Sequence, residues 1–236
     1  MMSEQFQRTE MLIGIENIDK LNHSTVAIFG LGGVGSFVVE GLARAGVGKF
    51  ILIDSDTVSI SNINRQIIAT YKTVGRPKVE VAKERILDIN PSAIVEIHQD
   101  YFTPESEDFF DKDVDYVIDC IDTITSKINL VERANKLKIP IISCMGTGNK
   151  LDPTKFEIAD IYKTSVCPMA KVMRKELRQR GIDKLKVLYS KEEPAEHKQL
   201  VENGKQVPAS ISFVPSVAGL IITAEVVKDL ISVKGK

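Results

Sequence analysis

The sequence predicts an α/β fold built on a doubly wound sheet, parallel in its N-terminal half and continued by a mixed, partly antiparallel C-terminal extension. Three observations carry that expectation: short apolar runs, segments of helical spacing between them, and glycines at the junctions. A strand of a parallel sheet is covered on both faces and reads as a continuous apolar run, whereas a helix lying on that sheet shows a single apolar stripe.

Val26-Ala27-Ile28-Phe29 is such a run and ends in glycines. Val38, Leu42 and Ala45 then share one helical face, and Gly46 and Gly48 stop the helix. Phe50-Ile51-Leu52-Ile53 is the second buried strand, closed by Asp54, which completes a βαβ unit of the usual length. A helix is expected over 78–89, ending at Asn90-Pro91 because the residue before a proline is steered out of the helical region. Ile94-Val95-Glu96-Ile97-His98 alternates as a strand, and Tyr116-Val117-Ile118 and Ile139-Pro140-Ile141-Ile142 add two more, with a helix near 127–137 between them. Up to about Met145 the pattern is that of a Rossmann-like sheet. Phe156-Glu157-Ile158-Ala159-Asp160 then alternates as a half-solvated strand, followed by a basic helix, another strand and an apolar C-terminal segment.

A chain of 236 residues suits one continuous domain, with 1–145 as its nucleotide-binding half and 146–236 as a second, substrate-facing half. Residues 206–224 carry no formal charge, but Pro208 and Pro215 interrupt them and Ser210, Ser212 and Ser216 dilute them. The segment therefore reads as a buried strand or loop leading into a core helix capped by Ser216, and no stable membrane insertion is expected. Residues 1–12 lack a basic flank, an apolar run and a small-residue cleavage site, and the three cysteines are sparse and unpaired, so a reducing, cytoplasmic location is expected. No Cys-x-x-Cys pair offers a four-thiolate zinc site. Cys120 and Cys144 read as small core residues, and Cys167, before Pro168, as the one cysteine outside the strand core, where a helix N-terminus could lower its pKa. With 31 basic against 32 acidic side chains, the whole-molecule field does not attract nucleic acid, so any such contact needs a local patch.

Gly30, Gly32, Gly33 and Gly35 stand between a strand and a helix, where a missing Cβ lets the chain turn tightly and lets N–H groups approach phosphate oxygens at the positive end of the helix dipole. Asp54, at the end of the second strand, is placed to accept hydrogen bonds from ribose hydroxyls. Taken alone, these features favour a nicotinamide dehydrogenase, with a nucleotide-sensing module as a further alternative. The segment beyond Asp54 favours another chemistry. It brings Asn62, Arg65 and then Gly75-Arg76-Pro77-Lys78 toward the phosphate end, and fixed cations there suit attack of a carboxylate on an α-phosphate followed by departure of pyrophosphate.

At these residues the chain resembles the ubiquitin-activating-enzyme-like adenylating superfamily, the ThiF/MoeB/HesA group, from its N-terminal segment through Asp122. The resemblance implies an ATP site formed by Asp54 on the ribose, Asn62 and Lys78 on the phosphates, Arg65 as a charge-stabilising finger, and Asp122 near Mg²⁺ or the attacking carboxylate. It also implies a homodimer in which Arg8 enters the neighbouring subunit's site. Phe6-Gln7-Arg8-Thr9, Ile63-Asn64-Arg65-Gln66-Ile67, Asp152-Pro153-Thr154-Lys155-Phe156 and Ala159-Asp160-Ile161-Tyr162-Lys163-Thr164 extend the likeness, closely, to the zinc-free tRNA threonylcarbamoyladenosine dehydratases. That family implies ATP-dependent cyclisation of the modified adenosine beside the tRNA anticodon, and it leaves open a monovalent cation and a sulfur-transfer protein partner. The alternative within the superfamily is adenylation of the C-terminal glycine of a ubiquitin-like sulfur carrier. Ala209-Ser210-Ile211-Ser212-Phe213 stands where some family members carry a cysteine, so no thioester is expected there. The basic helix offers Lys171, Arg174, Lys175 and Arg178 to tRNA phosphates.

Overall fold

The computed structural model describes residues 4–106, 109–195, 200–202 and 205–232; residues 1–3 of the N-terminal segment lie outside them. Two short helices, α1 (Gln7–Ile13) and α2 (Ile15–His23), lead into β1 (Thr25–Phe29). The chain then alternates through α3 (Gly35–Ala45), β2 (Lys49–Ile53), α4 (Lys78–Ile89), β3 (Ile94–His98), β4 (Tyr116–Asp119), α5 (Ile124–Leu137) and β5 (Ile141–Cys144). The second half supplies β6 (Phe156–Asp160), α6 (Pro168–Gln179), β7 (Lys186–Ser190), a small hairpin β8 (Leu200–Glu202) and β9 (Lys205–Val207), and the long helix α7 (Phe213–Ser232).

Six of the seven strands of the main sheet, in the order β3-β2-β1-β4-β5-β7-β6, run parallel, and β6 closes the edge antiparallel to β7. The continuous apolar runs explain why helices cover both faces. Val26 and Ile28 of β1 join Val38 and Leu42 of α3, Ile86 of α4 and Ile222 and Val226 of α7 in one core, while Ala27 and Phe29 pack with Leu130 and Ala134 of α5 on the other side. A third cluster seats Met173 and Leu177 of α6 against Val187 and Tyr189 of β7. The first core draws on β1 and on α7, so residues from the two ends of the chain share one interior.

The boundaries differ from the sequence expectation in two places. The strand expected over 139–142 begins two residues later, because Pro140 has no N–H to give to a ladder and serves as the lead-in whose carbonyl accepts from Val117 N at 2.9 Å. The C-terminal helix starts at Phe213, so Ser216 lies within its first turn rather than capping it; Pro215 is tolerated there because first-turn N–H groups have no intrahelical acceptor. Among the described residues, no helix is long and apolar enough to cross a membrane.

Glycine sets how closely α7 approaches α3. A Cβ on Gly219 would lie 2.6 Å from the Val34 carbonyl oxygen and 2.8 Å from Phe37 Cβ, and one on Gly41 would lie 2.6 Å from Thr223 Oγ1. Gly219→Ala is expected to lower the unfolding free energy by about 1–3 kcal/mol through overpacking, read as a lower urea midpoint at unchanged slope. An unchanged midpoint would contradict the close approach.

Candidate functional site

Strand order reverses between β1 and β4, and ligands in such sheets bind in the crevice at the carboxyl ends of the strands at that point. A cavity of about 1150 Å³ opens there. Gly30 turns the chain out of β1 at φ 88°, with its N–H on the Ile53 carbonyl at 2.9 Å. Gly32 and Gly33 line the cavity, and among the described residues the N–H groups of Gly32, Gly33 and Val34 have no acceptor within the protein. Three bare donors at the start of a helix make an anion site. Gly35 does not line the cavity. A Cβ there would lie 1.8 Å from the Gly30 carbonyl oxygen, so its part is to let α3 begin directly beside the strand end rather than to touch a nucleotide.

Asp54 follows the last residue of β2, with its side chain largely covered. Its Oδ2 accepts from Leu31 N at 2.6 Å and its Oδ1 from Asp56 N at 2.8 Å, which pins the glycine loop to the second strand. Burial pushes its carboxyl pKa up, against the opposing pull of Lys78 and of those two N–H donors. Lys78, at the first position of α4 and only 4% exposed, places Nζ 2.7 Å from Asp56 Oδ2 and 3.8 Å from Asp54 Oδ1. Asn62 accepts from Ser59 N at 3.1 Å through Oδ1, leaving its NH₂ as the free donor. Arg76, by contrast, is drawn away by Glu84, with contacts of 2.9 and 2.5 Å, and does not line the cavity.

Arg65 has a different environment. Its guanidinium donates at 2.9 Å to the Ser61 carbonyl and at 2.9 Å to Asn64 Oδ1, and among the described residues no carboxylate pairs with it. Burial lowers its pKa, the mark of a cation short of counter-charge. Asp122 is exposed on the opposite wall, with Oδ1 accepting from Thr123 Oγ1 at 3.3 Å. The cavity thus brings together Asp54, Asn62, Arg65, Lys78 and Asp122. Arg8 is not among them. It stands exposed on α1, without a hydrogen bond or ion pair among the described residues.

On α6, Lys171, Lys175 and Arg178 are exposed, and the Arg178 guanidinium sits 5.1 Å from the ring centre of Tyr162. Arg174 departs from the expectation of a free phosphate ligand. It is half buried and donates to the Thr164 carbonyl at 3.1 Å and to the Thr164 hydroxyl, so it ties the helix down. The cysteines are also redistributed: Cys120 and Cys144 line the cavity, whereas Cys167 is buried and does not. Burial pushes the Cys144 thiol up to about 12 and the Cys120 thiol well above its ordinary range.

Sequence reasoning passed over several residues that line this space. Gln66 is 5% exposed, and its Oε1 has no partner among the described residues; adjacency to Arg65 was the available signal. Met145-Gly146-Thr147-Gly148 follows β5, and glycines just past a strand end could have marked it as a second loop of the crevice. Tyr101, Met169 and Pro208 carried no signal of their own.

The model of the ThiF family matches residues 6–236. The chain is 48% identical over 243 residues to the tRNA threonylcarbamoyladenosine dehydratase of Bacillus subtilis, covering 98% of this chain and 96% of that one. Among solved structures, that of Escherichia coli tRNA N6-threonylcarbamoyladenosine dehydratase, TcdA, in complex with AMP aligns at a TM-score of 0.89 and 30% identity, over 97% of this chain and 94% of that one. The same protein in complex with ATP aligns at 0.84 and 29% identity, with coverage of 97% and 94%.

Asp54 gives a pH signature. Its pKa in the folded protein lies above the ordinary 3.8, so in the interval just above 3.8 the native state holds a proton that the unfolded chain has lost, and stability falls as pH rises through that interval. Denaturation of the wild type and of Asp54→Asn across pH 3–7 is expected to show the wild type losing stability relative to the variant as pH rises, then running parallel to it. The opposite slope would refute a raised pKa.

Proposed function

The chain belongs to the ThiF family and, within it, to the tRNA threonylcarbamoyladenosine dehydratases, and from that premise we propose that it uses ATP to dehydrate N6-threonylcarbamoyladenosine beside the tRNA anticodon to its cyclic form, through a carboxyl adenylate. The single observation that carries this mechanism is Arg65, a half-buried side chain whose stem borders the glycine loop at Gly33 and whose guanidinium has no carboxylate partner among the described residues. Negative charge that builds on the α-phosphate meets a cation already in place.

In the first step a carboxylate oxygen of the threonyl group bonds to the α-phosphorus, the bond to the β-phosphate oxygen breaks, and pyrophosphate leaves with the electron pair. Lys78 and the NH₂ of Asn62 take the phosphates, and Asp54 takes the ribose hydroxyls. In the second step an atom of the substrate's own ureido group bonds to the activated carbonyl carbon and loses its proton to solvent, while AMP leaves with the former carboxylate oxygen. The net loss is one water, and because nucleophile and electrophile belong to one molecule, proximity supplies much of the acceleration.

Asp122, exposed and with Thr123 as its only hydrogen-bond partner among the described residues, would help to hold a Mg²⁺ ion at the nucleotide. Such an ion supplies charge neutralisation at the phosphates. Among the described residues no group of three or more His, Cys, Asp or Glu side chains is placed to bind a metal by itself. Exposed Lys171, Lys175 and Arg178 serve the tRNA backbone in this reading, the protein acts in the cytoplasm where that substrate is found, and Arg8 completes the site of a second copy in a homodimer.

Purified protein with ATP, Mg²⁺ and threonylcarbamoylated tRNA is expected to release AMP and pyrophosphate and to yield a nucleoside lighter by one water on mass spectrometry. Equal AMP release with unmodified tRNA, or with a small protein ending in Gly-Gly, would overturn the reading. Arg65→Ala is expected to slow adenylation about 10²–10³-fold with its thermal melt unchanged. Arg8→Ala and Arg65→Ala, each impaired alone, are expected to regain activity when refolded together, because a mixed dimer contains one site with both arginines. Absence of recovery would remove Arg8 from the partner's site.

A further inference from the structure

The cavity is divided by charge. Its charged lining residues, Asp54, Asp56, Arg65, Lys78, Asp100 and Asp122, all belong to the segments around the glycine loop and the ends of β2, β3 and β4. The remaining wall, formed by residues 144–148 after β5, Met169 of α6, 208–210 and Pro215, has no charge at all. At about 1150 Å³ the whole space exceeds the roughly 300–1000 Å³ of a pocket that takes one small ligand. It has room for two reactants.

We propose that the modified nucleoside leaves the anticodon stack and that its adenine base enters this uncharged chamber while its carboxylate reaches Arg65. The proposal rests on the reading of the protein as a threonylcarbamoyladenosine dehydratase, and it concerns how that substrate is held. The charged arm projects from N6 of the base, so chemistry on the carboxylate does not in itself require the base to move. The walls decide the matter. A flexible, polar arm entering alone would need polar partners along its length, whereas the chamber offers the half-buried side chain of Met169, whose thioether suits an aromatic face, and the bare backbone of Gly146, with Met145 packed in the core behind it. Thr147 and Ser210 supply hydroxyls for the ring edge.

The chamber adjoins the reacting end and is already built. The Asn64 NH₂ donates to the Ser210 carbonyl at 3.2 Å, and a Cβ on Gly33 would touch both Pro215, at 3.1 Å, and Arg65, at 3.4 Å, so the arginine segment borders the uncharged wall directly. Asn149, in the left-handed region at φ 59°, fixes the far side. Its N–H donates to the Ala209 carbonyl at 2.8 Å, and its Oδ1 accepts from Ala209 N at 2.7 Å. Gly148 lies against Pro208, where a Cβ would come within 2.7 Å of the ring. A fixed, neutral slot beside a cation suits a planar uncharged base that carries an anion, and enzymes that act on bases in stacked nucleic acid commonly take them out of the stack.

The test uses an anticodon stem-loop RNA that bears threonylcarbamoyladenosine, with 2-aminopurine as its neighbouring base, mixed with the full chain and a non-hydrolysable ATP analogue. Unstacking is expected to raise 2-aminopurine fluorescence severalfold. Gly146→Leu places bulk in the chamber, since a Cβ on Gly146 meets nothing within 4 Å and the residue is not at positive φ. This variant is expected to lose the fluorescence rise and to need at least tenfold more RNA for half-maximal turnover, while its affinity for the ATP analogue, which reports the folded nucleotide half, stays within twofold. Dehydration of the same RNA by wild type with no fluorescence change would overturn base entry and leave the dehydratase reading intact. Absence of any dehydration of the modified RNA with ATP would overturn that reading, and the proposal with it.

Discussion

Everything at the reaction centre depends on how closely two backbones approach where β1 and β4 part. A Cβ on Gly30 would lie 2.7 Å from the Cys120 carbonyl oxygen, and one on Gly35 only 1.8 Å from the carbonyl oxygen of Gly30 itself. Neither clash could be relieved by turning a side chain, since backbone sits on both sides. The tight turn is what leaves N–H groups bare at the mouth of α3, and Asp54 then locks the turn by taking the Leu31 N–H at 2.6 Å. Phosphate affinity in this fold follows from packing geometry. Gly32 and Gly33 face the cavity, and Gly35 holds the frame behind them.

Behind the opposite wall lies a buried ion pair with neither charge exposed: Lys127 Nζ stands 3.0 Å from Asp119 Oδ2. Ser143 donates to the same oxygen at 2.5 Å, Ile121 N donates to Oδ1 at 3.1 Å, and Lys127 donates to the Ile121 carbonyl at 2.9 Å. Such a pair adds little net stability, because desolvation offsets its Coulomb energy, but loss of one partner strands the other at a cost of about 3–5 kcal/mol. Its effect is to join the ends of β4, α5 and β5 and to fix the turn that presents Asp122. Arg65 is the counterexample: among the described residues no carboxylate pairs with its half-buried guanidinium, and in the proposed mechanism that charge is left for the ligand to neutralise.

The sequence carried the fold well because each layer had a local signature: unbroken apolar runs for β1 and β2, a helical stripe for α3, proline and glycine at the junctions. The placement of Arg65 and Lys78 at the cavity was legible because the segment that carries them leads directly on from the end of β2, although Arg76 of the same segment turns away to Glu84. Legibility failed where a role depends on distant contacts. Gly35 looks like its neighbours in the loop, yet the atom it must avoid is the Gly30 carbonyl. Arg174 shares a stripe with Lys171 and Arg178, yet Thr164, ten residues earlier, captures it. Ile94, at the edge of the sheet, faces solvent where alternation placed apolar residues inward, because Val95 takes the core side. The uncharged chamber was invisible, since methionines and glycines announce a ligand wall only once β5, α6 and the segment before α7 are brought together.

The same geometry bears on the choice between a covalent and a direct second step. Two cysteines do reach the cavity, which sequence reading had assigned to the core, so a protein thiolate has to be considered as the group that displaces AMP. Burial keeps both thiols protonated at neutral pH, Cys144 at about 12 and Cys120 well above its ordinary range, and the loop at Ala209–Phe213 contains serines but no cysteine. A thiol held that high is a poor nucleophile, because the thiolate is the reactive form. The ureido group, by contrast, is delivered with the carboxylate and needs only to be folded toward the activated carbon. In the proposed binding mode, a chamber that grips the base and an arginine that grips the other end would hold the arm between two fixed points, and that constraint, more than any protein nucleophile, would account for ring closure.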